Sequence, residues 1–398
     1  MVALKTIAYV MEVPPDERDF KRHGMEFFTN NGINLLVADA TSFVRPSFVE
    51  NRVLPESFPR TELRKYAHLS ELEQMSAFIS KADLIIMQAG DNGTWQTTLL
   101  YRAMCKAQKP YLVMSSNAYP SVAWDSKTSL IERIVKKWQD WKDGKIKPLN
   151  SLIHRIPRAW LGIRPADFAV YGGKISAYWT KVYPKSINTR AIFAHSMDYD
   201  VFKAAVPKML ESEPIAVFID ENTCFKRDSA YWGIKEPEVE VYYPKLCRVF
   251  DRIEQEFGLR VVIAANPRAN YKGQEQLLGN REIFYQATAA QVARASLVIA
   301  QRSTSIGYAV LTNKPIFLIT LKEIYEHWSN RSPYDGFAQA LGKKIEFFDD
   351  PEKINISKAM EINPELYRKY RENYIKIASS PDLPFWEIVF NEVTKEIG

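Results

Sequence analysis

The feature that most constrains the fold is a series of short, continuously apolar runs separated by stretches with helical periodicity. Six such runs lie in the first half of the chain: TIAYVME, INLLVADA, ADLIIMQAG, PYLVMSS, ADFAVYGG and TRAIFAHS. They lack the regular alternation of a strand that has one face in water. The pattern predicts parallel strands covered by helices on both faces, with one helix from Thr94 to Lys106.

The same pattern restarts after a polar interval around residues 206–213, with the runs PIAVFIDEN, RVVIAANPR, REIFYQA, SLVIAQRS and PIFLIT. The segment YYPKLCRVFDRIEQEFG predicts a helix that ends at Gly258. At 398 residues the chain is long enough for two cores. We therefore expect an α/β protein with two doubly wound domains, residues 1–208 and 209–380, and a C-terminal helix within residues 381–398.

Composition excludes several classes of protein. The chain is 46% hydrophobic and 25% charged, which is typical of globular proteins, and no apolar run is long enough to span a bilayer. A net charge of +6 without a basic, aromatic-rich stripe does not indicate nucleic-acid binding. The three cysteines and five histidines are scattered, without disulfide or metal-ligand spacing. We expect a cytoplasmic protein with no metal site and no cofactor.

Two strand ends in the second domain carry polar and cationic residues. The run SLVIA is followed at once by a polar segment that leads into a predicted helix: Gln301, Arg302, Ser303, Thr304 and Ser305. Free N–H groups at a helix start, together with hydroxyls and an arginine, suit a phosphate. The alternative is simple N-capping, because serine and threonine are preferred caps.

Asn266, Pro267 and Arg268 follow the run RVVIAA in the same way. Arg268 could reach an anion and Asn266 could donate to a phosphate oxygen. The alternative is an ordinary turn, for which Asn-Pro is common. Because strand ends of one parallel sheet meet at one edge, two such ends favour an anion site over separate turns.

Carboxylates also follow strands in both predicted domains. Asp220 and Glu221 end the run PIAVFI, and Asp91 follows ADLIIMQAG and precedes Asn92 and Gly93. Carboxylates from two domains facing one cleft suit a general base or a nucleophile. For Asp91 the alternative is a helix cap within a turn. For Asp220 that alternative is weaker, because a carboxylate at the end of a buried strand needs a partner or solvent.

Two further features have open interpretations. His195 ends a first-domain strand and either touches a ligand or serves as an ordinary loop residue, which we favour. Residues 127–164 are basic and include Trp138, Trp141 and Trp160, which suits contact with an anionic membrane surface. The alternative is an insertion that packs its tryptophans on the first domain.

These features together resemble a known family. Two Rossmann-like domains in which the second holds the nucleotide phosphate resemble GT-B glycosyltransferases. The segment VIAANPRAN, followed by LVIAQRSTSIGYAVLTNKPIFLIT, is similar to the CMP-sugar-using enzymes of bacterial surface glycans, and in particular to the β-Kdo transferases of capsule and lipopolysaccharide. The resemblance covers the second domain by motif and the first by architecture alone.

The resemblance implies roles for particular positions. Ser303, Thr304 and Ser305 match the Ser/Thr motif that grips the CMP phosphate, and Pro267 matches the proline of a His-Pro motif. Asn266 stands where that family has histidine, and asparagine hydrogen-bonds a phosphate but carries neither a proton nor a positive charge. A catalytically disabled nucleotide-sugar-binding subunit is therefore an alternative to an active enzyme.

The resemblance leaves two mechanisms open. If Asp91 is the general base of an acidic motif ending in glycine, as in inverting sialyltransferases, a single displacement inverts the anomeric centre. If Asp220 is a nucleophile, two displacements retain the configuration, as in the β-Kdo transferases. Glu221 and Asp228 are lesser candidates for the nucleophile. We favour the retaining route slightly.

The expected function is transfer of Kdo from CMP-Kdo to a bacterial surface glycan or glycolipid, at the inner face of the inner membrane and without a catalytic metal. Arg268, Arg302 and Lys322 are candidate partners for the carboxylate of the donor sugar. Alternatives within the same fold are a CMP-sialic-acid-type transferase, a UDP- or GDP-sugar transferase and a sugar epimerase.

Overall fold

The computed structural model describes residues 4–46, 58–90, 94–122, 153, 156–177, 183–205, 213–225 and 236–397. These residues form two parallel sheets with apolar clusters on both faces of each. The fold class predicted from the sequence is confirmed.

The first sheet has seven strands in the order β3-β2-β1-β4-β5-β6-β7, and every neighbouring pair is parallel. The strands are β1 Thr6–Met11, β2 Asn34–Asp39, β3 Thr61–Lys65, β4 Leu84–Met87, β5 Tyr111–Ser115, β6 Phe168–Tyr171 and β7 Arg190–Phe193. The direction of strand order reverses between β1 and β4, which is the topological switch point of this domain.

Helices cover both faces of the first sheet: α1 Glu17–Arg22, α2 Met25–Asn30, α3 Thr41–Val44, α4 Leu72–Ile79, α5 Trp95–Lys106 and α6 Met197–Ala205. The alternation of β1 side chains divides them between two cores. Ala8 and Val10 pack with side chains of α4 and α5, whereas Ile7 and Tyr9 pack with side chains of α1 and α2. Both faces are buried, which explains why the strand is continuously apolar.

The second sheet has six parallel strands in the order β10-β9-β8-β11-β12-β13. The strands are β8 Ile215–Ile219, β9 Arg260–Ala264, β10 Ile283–Phe284, β11 Leu297–Ala300, β12 Ile316–Thr320 and β13 Ile345–Phe347. The helices are α7 Val239–Phe257, α8 Thr288–Arg294, α9 Ile306–Leu311, α10 Lys322–Glu326, α11 Trp328–Leu341 and α12 Pro364–Tyr370. The switch point of this domain lies between β8 and β11.

The end of the chain returns to the first domain. A π-helical segment, Arg371–Ile375, follows α12, and the last helix, α13, spans Phe385–Ile397. The indole Nε1 of Trp386 donates a hydrogen bond of 3.0 Å to the carbonyl oxygen of Arg22. Gly24 has a φ of 75°, and a Cβ there would lie 2.3 Å from the Trp386 ring, so only glycine fits beneath this helix. The C-terminal helix therefore completes the core of the first domain.

The carboxyl-terminal edges of the two sheets face each other. Ser196, after β7, donates its backbone N–H to the carbonyl oxygen of Ile375 at 2.7 Å. The Ser332 hydroxyl donates to the carbonyl oxygen of Val122 at 2.7 Å. These contacts join segments that follow first-domain strands to the second domain, so the cleft between the domains lies above both strand edges.

The structure also contains strands that the sequence pattern did not predict. Every apolar run quoted above contains a strand, but β3 and β13 were missed. The β3 sequence TELRK is charged because this strand lies at the sheet edge, and β13 has only three residues. The predicted helix near Thr94 spans Trp95–Lys106, and Gly258 caps α7 with a φ of 65°. The predicted boundary at residues 208 and 209 lies outside the described residues.

Candidate functional site

The switch point of the second domain gathers most of the residues singled out from the sequence. The loops after β8 and β11 are adjacent because these two strands pair directly. The loop after β9 lies on the other side of β8. In open α/β sheets, ligands bind where neighbouring loops diverge in this way. The three predicted strand-end groups thus meet at one edge.

Asp220 joins two of these loops. One carboxylate oxygen accepts a hydrogen bond from the backbone N–H of Asn222 at 2.8 Å. The other accepts from the backbone N–H of Asn266 and from the Tyr271 hydroxyl, each at 3.0 Å. Burial, followed by the charge of Asp220, raises the pKa of Tyr271 well above its ordinary value, so this phenol remains a donor. Asp220 is only 6% exposed and holds the β8 and β9 loops together.

Glu221 holds the loop after β11 in a similar way. Its Oε1 accepts a hydrogen bond from the backbone N–H of Arg302 at 2.7 Å, and the residue is buried. A carboxylate that accepts from a backbone N–H fixes the path of the loop that carries it. The contact therefore positions the start of the polar segment 301–305.

Gln301 is buried at the base of the same segment, with 1% of its surface exposed. Its side-chain oxygen accepts from the hydroxyls of Thr223 at 3.0 Å and Tyr242 at 3.2 Å. Among the described residues, its amide nitrogen has no hydrogen-bond partner. Since buried donors are rarely left unsatisfied in folded proteins, this nitrogen is a candidate ligand contact.

The hydroxyl residues lie directly before α9. The backbone N–H of Ser305 donates to the Ser303 hydroxyl at 3.2 Å, so Ser303 supports the turn itself. Thr304 lines a cavity between the domains together with Asn117 and Ser196. Within the predicted Ser/Thr segment, Thr304 therefore faces the first domain across the cleft.

The loop after β9 brings a cation to the same region. The side-chain oxygen of Asn266 accepts from the backbone N–H of Arg268 at 3.0 Å, which closes a local turn around Pro267. Arg268 is exposed. Burial lowers the pKa of Arg18 in α1, and the charges of Arg22 and Arg268 lower it further, so Arg268 lies close to Arg18. Arginines from both domains thus face the cleft.

A tyrosine of the first domain approaches the β8 and β11 loops. Burial raises the pKa of Tyr119, Arg302 opposes that rise and Glu221 adds to it. Tyr119 also stacks on Phe337, with ring centroids 6.2 Å apart. The second-domain site is therefore bordered by the segment that follows β5.

Several other residues predicted from the sequence lie elsewhere. His195 is fully buried, with its ring nitrogens 2.9 and 3.1 Å from the carbonyl oxygens of Ser196 and Leu383. It anchors the segment before α13, in agreement with the structural interpretation. Lys322 is exposed after β12, and its backbone N–H donates to Asp349. Asp91 and Asp228 lie outside the described residues.

Most of the basic segment 127–164 also lies outside the described residues. Its described end contains Trp160 in a 3₁₀ turn, with 83% of that residue exposed. No helix in the described part of the chain is both long and apolar enough to cross a membrane. Contact of this segment with a membrane stays a prediction.

Sequence reasoning missed one carboxylate at the matching edge of the first sheet. Glu12 comes directly after β1, and its Oε1 lies 2.9 Å from the Arg45 guanidinium. Its Oε2 is buried and has no hydrogen-bond partner among the described residues. The signal was present in TIAYVME, in which a glutamate ends a buried strand. The same criterion had singled out Asp220.

Metal-ligating side chains are not grouped in the described residues: no set of three or more histidine, cysteine, aspartate or glutamate side chains there could hold an ion. Independence from a metal stays a prediction.

Solved structures with two facing Rossmann-like domains share this architecture. Acinetobacter baumannii MurG aligns with a TM-score of 0.51 at 11% identity, covering 98% of this chain and 99% of that chain. CalG4, the calicheamicin glycosyltransferase, aligns at 0.53 and 10% identity, covering 100% of this chain and 99% of that chain. The glycotransferase of kitacinnamycin aligns at 0.53 and 11% identity, covering 100% of both chains.

At these identities the likeness establishes the GT-B fold alone. The sequence matches no protein-family model and no curated protein.

Proposed function

We propose that this protein is a glycosyltransferase whose second domain binds a nucleotide-activated sugar and whose first domain binds the acceptor. The observation that carries this proposal is the convergence of three polar loops at the β8/β11 switch point, where Glu221 and Asp220 hold them by hydrogen bonds. Such an edge is where open α/β domains bind nucleotides.

The chemistry of these loops suits a phosphorylated ligand. Arg268 and Arg302 supply positive charge, and Thr304 supplies a hydroxyl at the cleft. The unpartnered amide nitrogen of buried Gln301 adds a hydrogen-bond donor. Together these groups provide what a phosphate requires: fixed donors, cations and partial exclusion of water.

For the donor, we propose a CMP-linked keto-sugar acid, with Kdo as the sugar. Support comes from the similarity of residues 262–320 to the CMP-sugar enzymes and from the arginines, of which one could pair with the sugar carboxylate. A glycan or glycolipid is the proposed acceptor. The side-chain oxygen of Asn266 accepts from the Arg268 N–H and closes the turn. Asparagine therefore has a structural role at this position, and the geometry of the loop does not require a histidine in an active enzyme.

The test is incubation of the protein with CMP-Kdo generated in situ, with UDP- and GDP-sugars in parallel. Release of CMP would support both the class and the donor, whereas release of UDP or GDP would keep the class and overturn the donor. The intact mass reports the mechanism: an adduct of one Kdo that peptide mass spectrometry maps to Asp220 identifies a nucleophile. Binding of a nucleotide without turnover indicates a non-catalytic subunit, and neither binding nor turnover overturns the proposal.

A further inference from the structure

The switch point of the first domain contains a carboxylate whose hydrogen bonding is incomplete. Glu12 follows β1, and Gly90 follows the adjacent strand β4. The backbone N–H of Gly90 donates a hydrogen bond to the Glu12 carboxylate. Glu12 therefore lies where β1 and β4 diverge, the position equivalent to that of Asp220 and Glu221 in the second domain.

The surroundings of Glu12 satisfy only part of its hydrogen-bonding capacity. The Arg45 guanidinium, supplied by the residue after α3, lies 2.9 Å from Oε1. The side chain is 15% exposed, and Oε2 is buried without a partner among the described residues. Leaving a buried acceptor unsatisfied costs about 1–3 kcal/mol. The unpartnered Oε2 adds no stability to the ion pair between Glu12 and Arg45, so a purely structural role does not account for it.

The electrostatic balance at Glu12 favours a base. Burial raises the pKa of Glu12 above its ordinary value, and the charge of Arg45 and the Gly90 N–H only partly oppose that rise. Among the described residues Tyr183 also faces Glu12, and burial together with the charge of Glu12 raises the pKa of Tyr183 to about 12. Tyr183 therefore stays protonated when Glu12 ionises. A carboxylate in this state accepts a proton more readily than an exposed one.

We propose that Glu12 is the general base of the acceptor site, with its partly exposed carboxylate receiving the proton of an acceptor sugar hydroxyl. The hydroxyl oxygen forms a bond to the anomeric carbon of the donor. The bond from that carbon to the nucleotide phosphate breaks, and its electron pair leaves with the phosphate. The hydroxyl proton ends on Glu12. This single displacement inverts the anomeric centre, and the inference rests on the proposed function.

The experiment compares wild type, Glu12→Gln and the matched control Glu73→Gln, whose side chain is 84% exposed in the same domain. Each protein receives CMP-Kdo generated in situ, with water alone or with octyl glycosides of galactose, glucose and N-acetylglucosamine as acceptor probes. Nucleotide release is measured across pH, CMP binding by calorimetry and folding by the melting temperature. UDP- and GDP-sugars replace CMP-Kdo if they are the active donors.

The proposal predicts that Glu12→Gln lowers kcat by about 10²–10⁴-fold while the Kd for CMP stays within threefold of wild type. The wild-type rate rises with pH as Glu12 loses its proton, through a pKa above the ordinary 4.5, and the variant lacks this limb. Glu73→Gln behaves as wild type.

Two results would overturn the inference in distinguishable ways. If wild type turns over a donor and Glu12→Gln keeps its kcat and pH profile, Glu12 is not the base and the proposed function stands. If wild type neither binds CMP, UDP or GDP nor releases a nucleotide, the proposed function falls and the role of Glu12 falls with it.

Discussion

The two sheets present carboxylates to one cleft, but in opposite states. In the second domain, Asp220 accepts three hydrogen bonds and Glu221 accepts one from the Arg302 backbone. In the first domain, Glu12 has one oxygen beside Arg45 and another without a partner among the described residues. The described residues therefore include carboxylates that hold loops in place on one side of the cleft, and a carboxylate with a buried, unpartnered oxygen on the other.

This difference separates two uses of a buried carboxylate. A carboxylate whose oxygens accept from backbone N–H groups holds loops in place and is already stabilised as an anion. Where burial outweighs the nearby donors, as at Glu12 beside Arg45 and the Gly90 N–H, the pKa stays raised and the carboxylate retains the capacity to accept a proton. We accordingly assign loop geometry to the second-domain pair and proton transfer to Glu12. The nucleophilic role predicted for Asp220 stays a prediction that intact mass can test.

The largest expected effect is the loss of stability in Asp220→Ala. The substitution leaves two backbone N–H groups and the Tyr271 hydroxyl without their acceptor in a buried site. We expect the free energy of unfolding to fall by about 3 kcal/mol or more in urea denaturation. Asp382→Ala, which removes an exposed ion pair with Lys203, is the control and should change little. If the free energy of unfolding of Asp220→Ala fell by less than about 1 kcal/mol, that result would contradict the role of Asp220 in holding the β8 and β9 loops together.

The next effect concerns nucleotide affinity. Thr304→Val keeps the side-chain volume at the cleft and removes the hydroxyl, so the Kd for CMP should rise by about five- to tenfold, equivalent to one hydrogen bond. Thr312→Val is the matched control, because that hydroxyl donates to the carbonyl oxygen of Tyr308 at the far end of α9. Calorimetric titration measures both. Equal affinities for wild type and Thr304→Val would remove Thr304 from the donor site.

A smaller effect distinguishes Glu12 from a stabilising ion pair. Because its pKa is raised in the folded state, its ionisation at pH 7 costs more in the fold than in the unfolded chain. Glu12→Gln should therefore be as stable as wild type at pH 7, or more stable by up to about 1 kcal/mol. The difference should disappear below pH 4.5, where the unfolded chain also keeps the proton. Urea denaturation at several pH values measures this, and marked destabilisation at pH 7 would indicate a structural ion pair.

The smallest effect tests the charge of Glu221. In Glu221→Gln the side-chain oxygen still accepts from the Arg302 N–H, so the loop keeps its path, but a negative charge beside the proposed phosphate site is lost. The Kd for CMP should fall by about two- to threefold at low salt, and less at high salt. Weaker binding would mean that the charge of Glu221 itself supports the site.

The apolar runs predicted the fold well because a short run that is apolar on both faces fits few structures other than a buried parallel strand. Runs such as IAVFI are apolar on both faces of a sheet, whereas the edge strand Thr61–Lys65 lacks that pattern and was missed. The return of α13 to the first domain was also not predicted. It depends on contacts such as Gly24 with Trp386, which lie far apart in the sequence.

The site was predicted in position but not in detail. Strand ends identified Asp220 and Arg302, since carboxyl ends of parallel strands share one edge. Hydrogen-bond saturation decides which carboxylate is free to react, and it depends on donors from distant segments, such as the Tyr271 hydroxyl for Asp220. The sequence placed Glu12 at a strand end just as it placed Asp220, but it could not show which of the two keeps an unpartnered oxygen.

Hydrogen–deuterium exchange with and without saturating CMP, followed by peptide mass spectrometry, tests the central claim most directly. If the second-domain edge holds the nucleotide, exchange should slow in peptides covering residues 265–268 and 301–306, and the β1 edge around Glu12 should be unchanged. Protection confined to the first-domain edge, or no protection at saturating CMP, would contradict the assignment of the donor site.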